Sequence, residues 1–292
     1  TPTAPDGRIS RAQLLAARVD LPQWPPVVPP SCTTRDVRLR AAPTPDFVPV
    51  LLELAYGDVD RDGADETVAL VECRAGEATA KQAVVLDRTP DGYITTLGQV
   101  ARTNEGFDDI SDMAAEDDGD LRLQVADFQP CCYAPQHWVQ KQWRTYRWDG
   151  EMFRQIAGPT AFGPHPRATD LRITSATFTL GPPDASGRRQ GDLTVTISNE
   201  GPRDVALLGV GFDAFVLDDV GAWSACASST ADVNGLVPGL AAGERRSIKF
   251  GFSLPQSGLP ATGRVRVDHH DTDHLQWPDL VPDDNFKRFP VS

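Results

Sequence analysis

Apolar and polar residues alternate over many short stretches of the chain, and turns rich in glycine and proline separate these stretches. Alternation with a period of two is typical of a half-buried β-strand. In the second half of the chain it is clearest in three runs, Leu193/Val195/Ile197, Ile248/Phe250/Phe252 and Val265/Val267. The pattern predicts a mostly β protein whose second half is a small antiparallel β-sandwich.

The first half of the chain carries similar strand signals. Alternation predicts a strand at 36–40, and apolar runs predict strands on both sides of an acidic run at 58–66. Two Asp-Gly pairs, at 91–92 and 149–150, each predict a β-hairpin turn. The polar stretch 104–120 is predicted to be a long loop.

One short helix is expected near the start of the chain. Ser10 and Gln13 have the spacing of a capping box, in which each side chain accepts a hydrogen bond from the other residue's backbone. The helix should end before Pro22, which cannot continue it.

The stretch Gly158–Arg167 has the Pro- and Gly-rich composition of an interdomain linker. It divides the 292 residues into a β-rich domain with one short helix, residues 1–160, and a β-sandwich domain, residues 168–292. The 25 prolines and 24 glycines of the chain suit many short strands joined by turns. The predicted fold class is therefore mostly β, with an α+β first domain.

Net charge narrows the range of partners. With 28 basic and 41 acidic residues the formal charge is −13, which argues against nucleic acid and anionic membrane surfaces as partners. No apolar run reaches the roughly 18 residues that a membrane span needs. Because the chain opens with Thr-Pro-Thr-Ala-Pro instead of Met, we expect a mature ectodomain whose targeting segment has been removed.

The acidic run is the strongest candidate site. Asp58, Asp60 and Asp62 alternate, and Glu66 stands at the ninth position of the run. Such closely spaced carboxylates repel one another unless a cation lies among them, and calcium prefers six to eight oxygen ligands. Gly63 permits the sharp turn that would bring the carbonyl of Ala64 to the ion. The sequence predicts a structural calcium site here.

The predicted ligands are the side chains of Asp58, Asp60, Asp62 and Glu66 together with the carbonyl of Ala64, while Asp65 should point outward. The alternative is a solvated acidic turn that holds no ion.

Five cysteines are present, and none of their spacings makes a Cys-x-x-Cys pair. Disulfides in an oxidising compartment are the better interpretation. Cys32 and Cys73 flank the strands of the acidic loop and are predicted to form a bridge. Two arrangements remain for the others: an adjacent Cys131–Cys132 ring with Cys226 unpaired, which is favoured, or a bridge from Cys226 to one of the pair.

A second cluster, at residues 268–274, contains three imidazoles, His269, His270 and His274. Together they could form a weak site for zinc or another transition metal. The favoured alternative is an ordinary strand that runs into a polar loop. The sequence contains no Gly-x-Ser-x-Gly elbow, phosphate loop or His-Glu-x-x-His motif, and no catalytic residue is predicted.

Three stretches resemble known families. The acidic loop is similar to the calcium loops of FG-GAP and VCBS repeats, which carry acidic or amide residues at positions one, three and five and an acid at nine. The second domain resembles CARDB-type immunoglobulin-like domains of bacterial exported proteins. The matching segments are 194–201, the turn 240–244 and the ending 281–286. This resemblance implies an immunoglobulin-like sandwich.

The first domain resembles a group of actinobacterial lipoproteins and membrane-anchored ectodomains. The likeness rests on the acidic loop and four further segments, at 14–15, 21–25, 131–132 and 146–153. It implies export and attachment to the cell envelope, and it brings no activity with it.

The predicted function is non-enzymatic: an exported, envelope-associated ectodomain, stabilised by calcium, that serves in binding, adhesion or sensing. Its expected partner is a protein or glycan ligand at the cell surface, with no nucleic acid and no membrane insertion by this segment. The alternative is a metal-dependent envelope hydrolase, or its accessory subunit, that uses the His269–His274 cluster. Metal content would separate the two.

Overall fold

The structure is a computed structural model that describes residues 5–26, 28, 32–43, 48–75, 78–129, 135–213, 228–229, 234–255 and 257–291. The chain divides into two compact units, Thr1–Gly163 and Pro164–Ser292. Strands dominate both units, which confirms the prediction of a mostly β protein. Within the described ranges, no helix is both long enough and apolar enough to cross a membrane.

The first unit contains two four-stranded antiparallel sheets, each a simple meander. The first sheet has the order β1 (Val50–Gly57), β2 (Glu66–Ala75), β3 (Ala78–Arg88) and β4 (Ile94–Arg102). The second has the order β5 (Asp109–Ala115), β6 (Leu121–Ala126), β7 (Lys141–Trp148) and β8 (Phe153–Ala157). A short 3₁₀ turn, Gln136–Trp138, precedes β7.

The first sheet is buried on both faces, and β2 shows why its sequence is continuously apolar. Val68 and Leu70 face a core shared with the second sheet, while Ala69 and Val71 face a core shared with the N-terminal segment. Successive side chains of a strand point to opposite faces, so a strand covered on both sides needs apolar residues throughout. The N-terminal segment thus forms a third layer over the sheet.

The predicted short helix is present as α1 (Arg11–Ala16). Its capping box is complete, because Ser10 Oγ accepts a hydrogen bond from the Gln13 backbone and Gln13 Oε1 accepts one from the Ser10 backbone. Leu14 is fully buried against the first sheet. Packing of this residue, more than helix length, fixes so short a helix in place.

The structure corrects two predictions in this unit. Residues 36–40 do not form a strand: they make only isolated bridges, one of which pairs Val37 with Val19, and a positive φ of 52° at Asp36 interrupts the extended backbone. Residues 104–120 are not a long loop, since they contain β5. A β-bulge between Ile110 and Asp112 spaces the buried residues Ile110 and Met113 three apart, which conceals the period of two.

The two predicted hairpins are present. The turn between β3 and β4 has Gly92 at a φ of +82°, and the turn between β7 and β8 has Gly150 at a φ of +99°. Glycine adopts this left-handed backbone without the steric cost that a Cβ would bring.

The second unit is a two-layer β-sandwich. One sheet has the order β14 (Arg245–Pro255), β10 (Arg188–Asn199) and β9 (Leu171–Pro183). In the other, β12 (Ser228–Ser229), β13 (Asn234–Pro238), β11 (Leu207–Asp213) and β15 (Thr262–His270) are neighbours in that order. Two short strands, β16 (Gln276–Trp277) and β17 (Phe286–Pro290), both pair with β15.

Both sheets contribute to one core, in which Phe212, Phe250 and Phe289 are almost completely buried. The three alternating runs that predicted this sandwich lie on β10, β14 and β15. The sequence prediction missed β12, β13 and β16, which are two to five residues long. A 3₁₀ turn, Pro282–Asp284, leads into β17.

Candidate metal centre

The acidic run forms the connection between β1 and β2. The ladder of these strands ends where Gly57 pairs with Glu66, so the loop lies between two paired residues. Two residues in it have a left-handed backbone, Arg61 at a φ of 64° and Gly63 at 94°. The loop therefore reverses direction within a few residues, which brings carboxylates that are distant along the loop close to one another.

Three carboxylates converge at the base of the loop. One oxygen each from Asp58, Asp60 and Glu66 lies within 4.8 Å of the other two. Glu66 is only 1% exposed, and its Oε2 accepts hydrogen bonds from the backbone of Val59 at 2.8 Å and of Asp60 at 3.4 Å. Backbone hydrogen bonds thus hold Glu66 beneath the loop with its carboxylate directed at the two aspartates.

Asp58 offers an unused ligand atom to this cluster. Its Oδ2 accepts a hydrogen bond from the Gly63 backbone at 3.1 Å, whereas its Oδ1 is buried and has no hydrogen-bond partner. A buried carboxylate oxygen without a partner is costly, because it has lost water and gained nothing in exchange. A cation bound among the three carboxylates would supply the missing interaction.

The raised pKa values of two carboxyl groups indicate that the negative charge of the cluster is uncompensated. Burial, together with the charges of Asp60 and Asp87, raises the pKa of Glu66 from 4.5 to about 7. Burial and the neighbouring charge of Asp62 raise the pKa of Asp60. Burial and neighbouring charges thus disfavour the ionised forms of Glu66 and Asp60, and a divalent cation would reverse this effect.

The basic residue within the loop does not neutralise the cluster. Arg61 donates instead to the turn between β5 and β6, from Nε to the Asp118 carbonyl at 3.2 Å and from its terminal nitrogen to Asp120 at 3.3 Å. At the same contact, a Cβ on Gly119 would overlap the carbonyl oxygen of Asp58. The loop is therefore anchored against the second sheet while its carboxylates stay free of ion pairs with Arg61.

The structure brings together three of the five predicted ligands. Asp62 is exposed and lies outside the three-carboxylate group, and its Oδ1 accepts a hydrogen bond from the Ala64 backbone at 2.9 Å. Asp65 also lies outside this group; its side chain is 41% exposed, and its carboxylate is 3.8 Å from a guanidinium nitrogen of Arg8. Asp62 and the carbonyl of Ala64 stay predicted ligands.

Sequence reasoning missed Asp87, which lies on β3 beside the site. Its pKa is raised by burial and by the charge of Asp62, and its own charge raises the pKa of Asp60 and of Glu66. The pairing of Thr67 with Leu86 places Asp87 next to Glu66 across the hairpin. A prediction of which residues pair between β2 and β3 would have placed Asp87 beside Glu66.

The Cys32–Cys73 disulfide is present as predicted. It joins the segment before β1 to β2, and both cysteines are buried in the core beneath the N-terminal layer. Cys131, Cys132 and Cys226 lie outside the described residues, so both arrangements stay predictions.

The structure does not bring His269, His270 and His274 together as a group of three metal ligands. No metal-compatible group of three or more residues in the described part of the chain includes a histidine. His269 and His270 are successive residues of β15 and point to opposite faces. His270 Nδ1 lies 3.1 Å from the carbonyl oxygen of His274, so this ring nitrogen already contacts the backbone.

His269 instead lines a cavity of about 470 Å³, together with Arg167, Pro202, Arg203, Asp204, Ala206, Asp271 and Trp277. Burial, aided by the charge of His270, lowers the pKa of His269 to about 4, so the ring is neutral at pH 7. Its Nδ1 has no hydrogen-bond partner.

The wall of this cavity is preorganised around Trp277. The indole donates from Nε1 to Asp271 Oδ2 at 2.8 Å, and the guanidinium of Arg167 lies 4.4 Å from the ring centre. Arg167 also approaches Asp271 Oδ2 at 3.5 Å. A guanidinium, a carboxylate and an imidazole ring thus line one concave surface, a combination suited to a polar ligand.

Comparison of the sequence with protein-family models gives no match, and comparison with curated proteins gives none either. The similarities to FG-GAP and VCBS loops, to CARDB-type domains and to actinobacterial lipoproteins accordingly rest on the motifs quoted above. Export and envelope attachment, which those similarities imply, belong to the proposal that follows.

Proposed function

We propose that this chain is a non-enzymatic ectodomain, stabilised by calcium, that binds a protein or glycan ligand outside the cell. The observation that carries the proposal is the cluster of Asp58, Asp60 and Glu66, which is partly buried and is not neutralised by Arg61. All its donors are carboxylate oxygens, the ligands that calcium prefers and that zinc and copper sites use less.

Calcium bound at this loop would stabilise the first unit. The loop joins β1 to β2 and contacts the turn before β6, so an ion there would fix the edge at which the two sheets of the first unit meet. We assign Asp58, Asp60 and Glu66 as the main ligands, with Asp62 and the carbonyl of Ala64 completing the set. Asp87 adds negative charge that strengthens the attraction for a cation.

An extracellular or envelope-anchored location has two supports. The Cys32–Cys73 disulfide is typical of an oxidising compartment. Calcium is abundant enough outside cells to fill sites with dissociation constants of roughly 10⁻⁴–10⁻³ M. A lipid or protein anchor upstream of this chain is part of the proposal.

We place the ligand contact at the cavity beside Trp277. Its polar wall, with Arg167, Asp271 and His269, suits hydroxyl groups or a carboxylate better than an apolar ligand. Because Trp277 is only 8% exposed and Arg167 and His165 lie against its ring, it acts as a wall more than as a stacking platform. Hydrogen bonds would therefore dominate recognition.

The hydrolase alternative retains one specific observation: His269 lines the cavity, and its buried Nδ1 has no hydrogen-bond partner. A neutral imidazole there could bind a transition metal or accept a proton. Metal analysis of the purified full chain distinguishes the alternatives. Stoichiometric zinc that is lost in His269→Ala would favour the hydrolase, whereas calcium without zinc would favour the binding module.

The proposal is tested by melting the full chain in calcium and in chelator. Calcium should raise the melting temperature of the first unit in the native protein, and Asp60→Ala should remove most of this rise. Asp65→Ala is the matched control, because it deletes a half-exposed carboxylate of the same loop that is not part of the cluster. Identical melting curves for the native protein in calcium and in chelator would overturn the calcium assignment.

A glycan array probes the binding function directly. Native chain in millimolar calcium should retain a subset of cell-envelope glycans, and Arg167→Gln should lose them while keeping the same melting temperature. If no glycan is retained, the ligand is a protein or the cavity is not the contact surface. Arg167→Gln binding indistinguishable from native would exclude the cavity.

A further inference from the structure

A second group of carboxylates converges at one end of the sandwich. One oxygen each from Asp170, Asp279 and Asp284 lies within 4.8 Å of the other two. Asp170 immediately precedes β9, Asp279 follows β16, and Asp284 is the last residue of the 3₁₀ turn before β17. The group therefore draws together three separate segments of the second unit.

Backbone hydrogen bonds fix the centre of this group. Thr169 and Asp279 form an isolated parallel bridge. Asp279 accepts hydrogen bonds from the backbone of Leu171 at 2.8 Å and of Val281 at 2.9 Å, one on each carboxylate oxygen. With both oxygens held by the backbone, Asp279 has a defined orientation before any ligand arrives.

The charge of the group is poorly compensated. Arg172 is the nearby cation, but its Nε is 3.8 Å from Asp284 while a terminal nitrogen is 3.5 Å from Glu200, and its side chain is 51% exposed. One solvent-exposed arginine is thus shared between two carboxylates. Burial, followed by the charges of Asp170 and Asp279, raises the pKa of Asp284 despite Arg172.

Asn285 provides an independent sign of a ligand. It is only 5% exposed, its side chain hydrogen-bonds the Asp279 carboxylate, and its Oδ1 has no hydrogen-bond partner. The amide therefore lies against the acidic group with its oxygen unused. Asp170 and Asp284 each present a buried Oδ1 that also lacks a partner.

These three unpartnered oxygens belong to one small region. A buried oxygen that is left without a donor destabilises the folded protein, and repulsion among the carboxylates adds to this effect. A proton or a nitrogen donor could satisfy only one or two oxygens at a time. A hard cation satisfies several oxygens at once, amide oxygens included.

We propose that Asp170, Asp279, Asp284 and the side-chain oxygen of Asn285 bind a divalent cation, with calcium the best fit. The donors are three carboxylates and one amide oxygen, without nitrogen or sulfur, which matches calcium and disfavours zinc and copper. Because the ligands come from the segments that lead into β9 and β17, the ion would clamp the C-terminal strand to the end of the sandwich. This site is separate from the loop at 58–66 and does not depend on it.

The experiment measures calcium binding and local protection on the full chain. Protein stripped with chelator is titrated with calcium to millimolar concentration by calorimetry, and hydrogen exchange is followed in peptides that cover β9 and β17. Asp284→Asn is the test variant, since it removes one charge with almost no change in shape. Asp283→Asn is the matched control, because Asp283 is an exposed carboxylate one residue earlier on the same 3₁₀ turn.

In native protein and in Asp283→Asn, calcium should slow exchange in both peptides. Asp284→Asn should bind at this site at least about tenfold more weakly, since the number of charged ligands sets calcium affinity over several decades, and should lose the calcium-dependent protection. In chelator, Asp284→Asn should be protected at least as well as native protein, because one repulsive charge is gone. A merely structural aspartate would give the opposite result, a loss of protection in chelator.

Calcium-dependent protection of β9 and β17 that is the same in Asp284→Asn and native protein would overturn the proposal, as would the absence of any calcium effect there in native protein. Magnesium in place of calcium is a separate arm: equal protection by magnesium alone would overturn the choice of ion. Asp60→Asn distinguishes the two sites. It should abolish calcium-dependent protection in β1 and β2 and leave β9 and β17 unaffected.

Discussion

Replacing Glu66 by glutamine should make the first unit more stable without calcium and less responsive to calcium. Glu66 is 1% exposed, and its Oε2 accepts hydrogen bonds from two backbone groups of the loop. Glutamine has the same shape and retains a carbonyl oxygen that can accept both bonds. The substitution therefore removes charge from the cluster while preserving the contacts that shape the loop.

The magnitude follows from the pKa of Glu66, which rises from an ordinary value of 4.5 to about 7 in the folded protein. At about 1.4 kcal/mol per pKa unit, this rise corresponds to roughly 3 kcal/mol. The folded state holds the Glu66 proton more tightly than the unfolded state does. Without calcium, stability is therefore greatest below about pH 4.5, falls as the pH rises to about 7, and is then constant with respect to this group.

Hydrogen exchange in the β1 and β2 peptides reports on this unit separately from the second. In chelator at pH 8, Glu66→Gln should increase the free energy of opening by about 3 kcal/mol over native protein, and near pH 4.5 the gain should be small. In calcium, native protein should gain protection that Glu66→Gln largely lacks. Asp65→Asn, which removes one exposed charge from the same loop, should match native protein in calcium response and pH dependence.

Two outcomes would refute this reasoning. If Glu66→Gln destabilised β1 and β2 equally in chelator and in calcium, its carboxylate would be a structural hydrogen-bond acceptor and not part of an uncompensated cluster. If native protein in chelator did not lose stability between pH 5 and 8, the charge of Glu66 would already be neutralised by another group.

Two further predictions concern the first unit. Replacing both Cys32 and Cys73 with serine should lower the free energy of unfolding by about 4 kcal/mol, because the bridge closes a loop with a sequence separation of 41. Denaturant titration under non-reducing conditions checks it, and a midpoint equal to that of native protein would contradict it. Lys81 Nζ lies 2.6 Å from Asp109 between the two sheets, with both side chains mostly buried. Lys81→Met should lower the free energy of unfolding by about 3–5 kcal/mol, because it leaves the buried Asp109 unpaired. The double variant Lys81→Met/Asp109→Asn should recover much of this stability. Lys81→Met protein that is as stable as native protein would refute the prediction.

Local sequence signals predicted the elements whose cause is local. The capping box at Ser10 and the left-handed glycines at 92 and 150 each act within four residues, and the structure contains all three features. β5 escaped prediction because a bulge shifted its buried residues out of the period of two. The strands β12 and β16, two residues long, exist only through pairing with neighbouring strands, which no local pattern records.

The two acidic groups likewise differ in whether the local sequence could reveal them. Asp58, Asp60 and Glu66 lie within nine residues of the sequence, so their spacing alone suggested a site. Asp87 joins that site through strand register, and the group around Asp279 is assembled from segments that are distant in sequence. Such groups depend on how strands pair and pack in the fold, which local patterns in one sequence do not reveal.

The calcium assignment at the loop between β1 and β2 is tested most directly by a crystal structure determined in millimolar calcium, with anomalous scattering to identify the ion. The assignment predicts one calcium with six to eight oxygen ligands at about 2.3–2.6 Å, among them carboxylate oxygens of Asp58, Asp60 and Glu66. It predicts that Asp58 Oδ1, which has no hydrogen-bond partner, is one of those ligands. A well-ordered loop in which these carboxylates bind only water or protein groups at the same calcium concentration would contradict it.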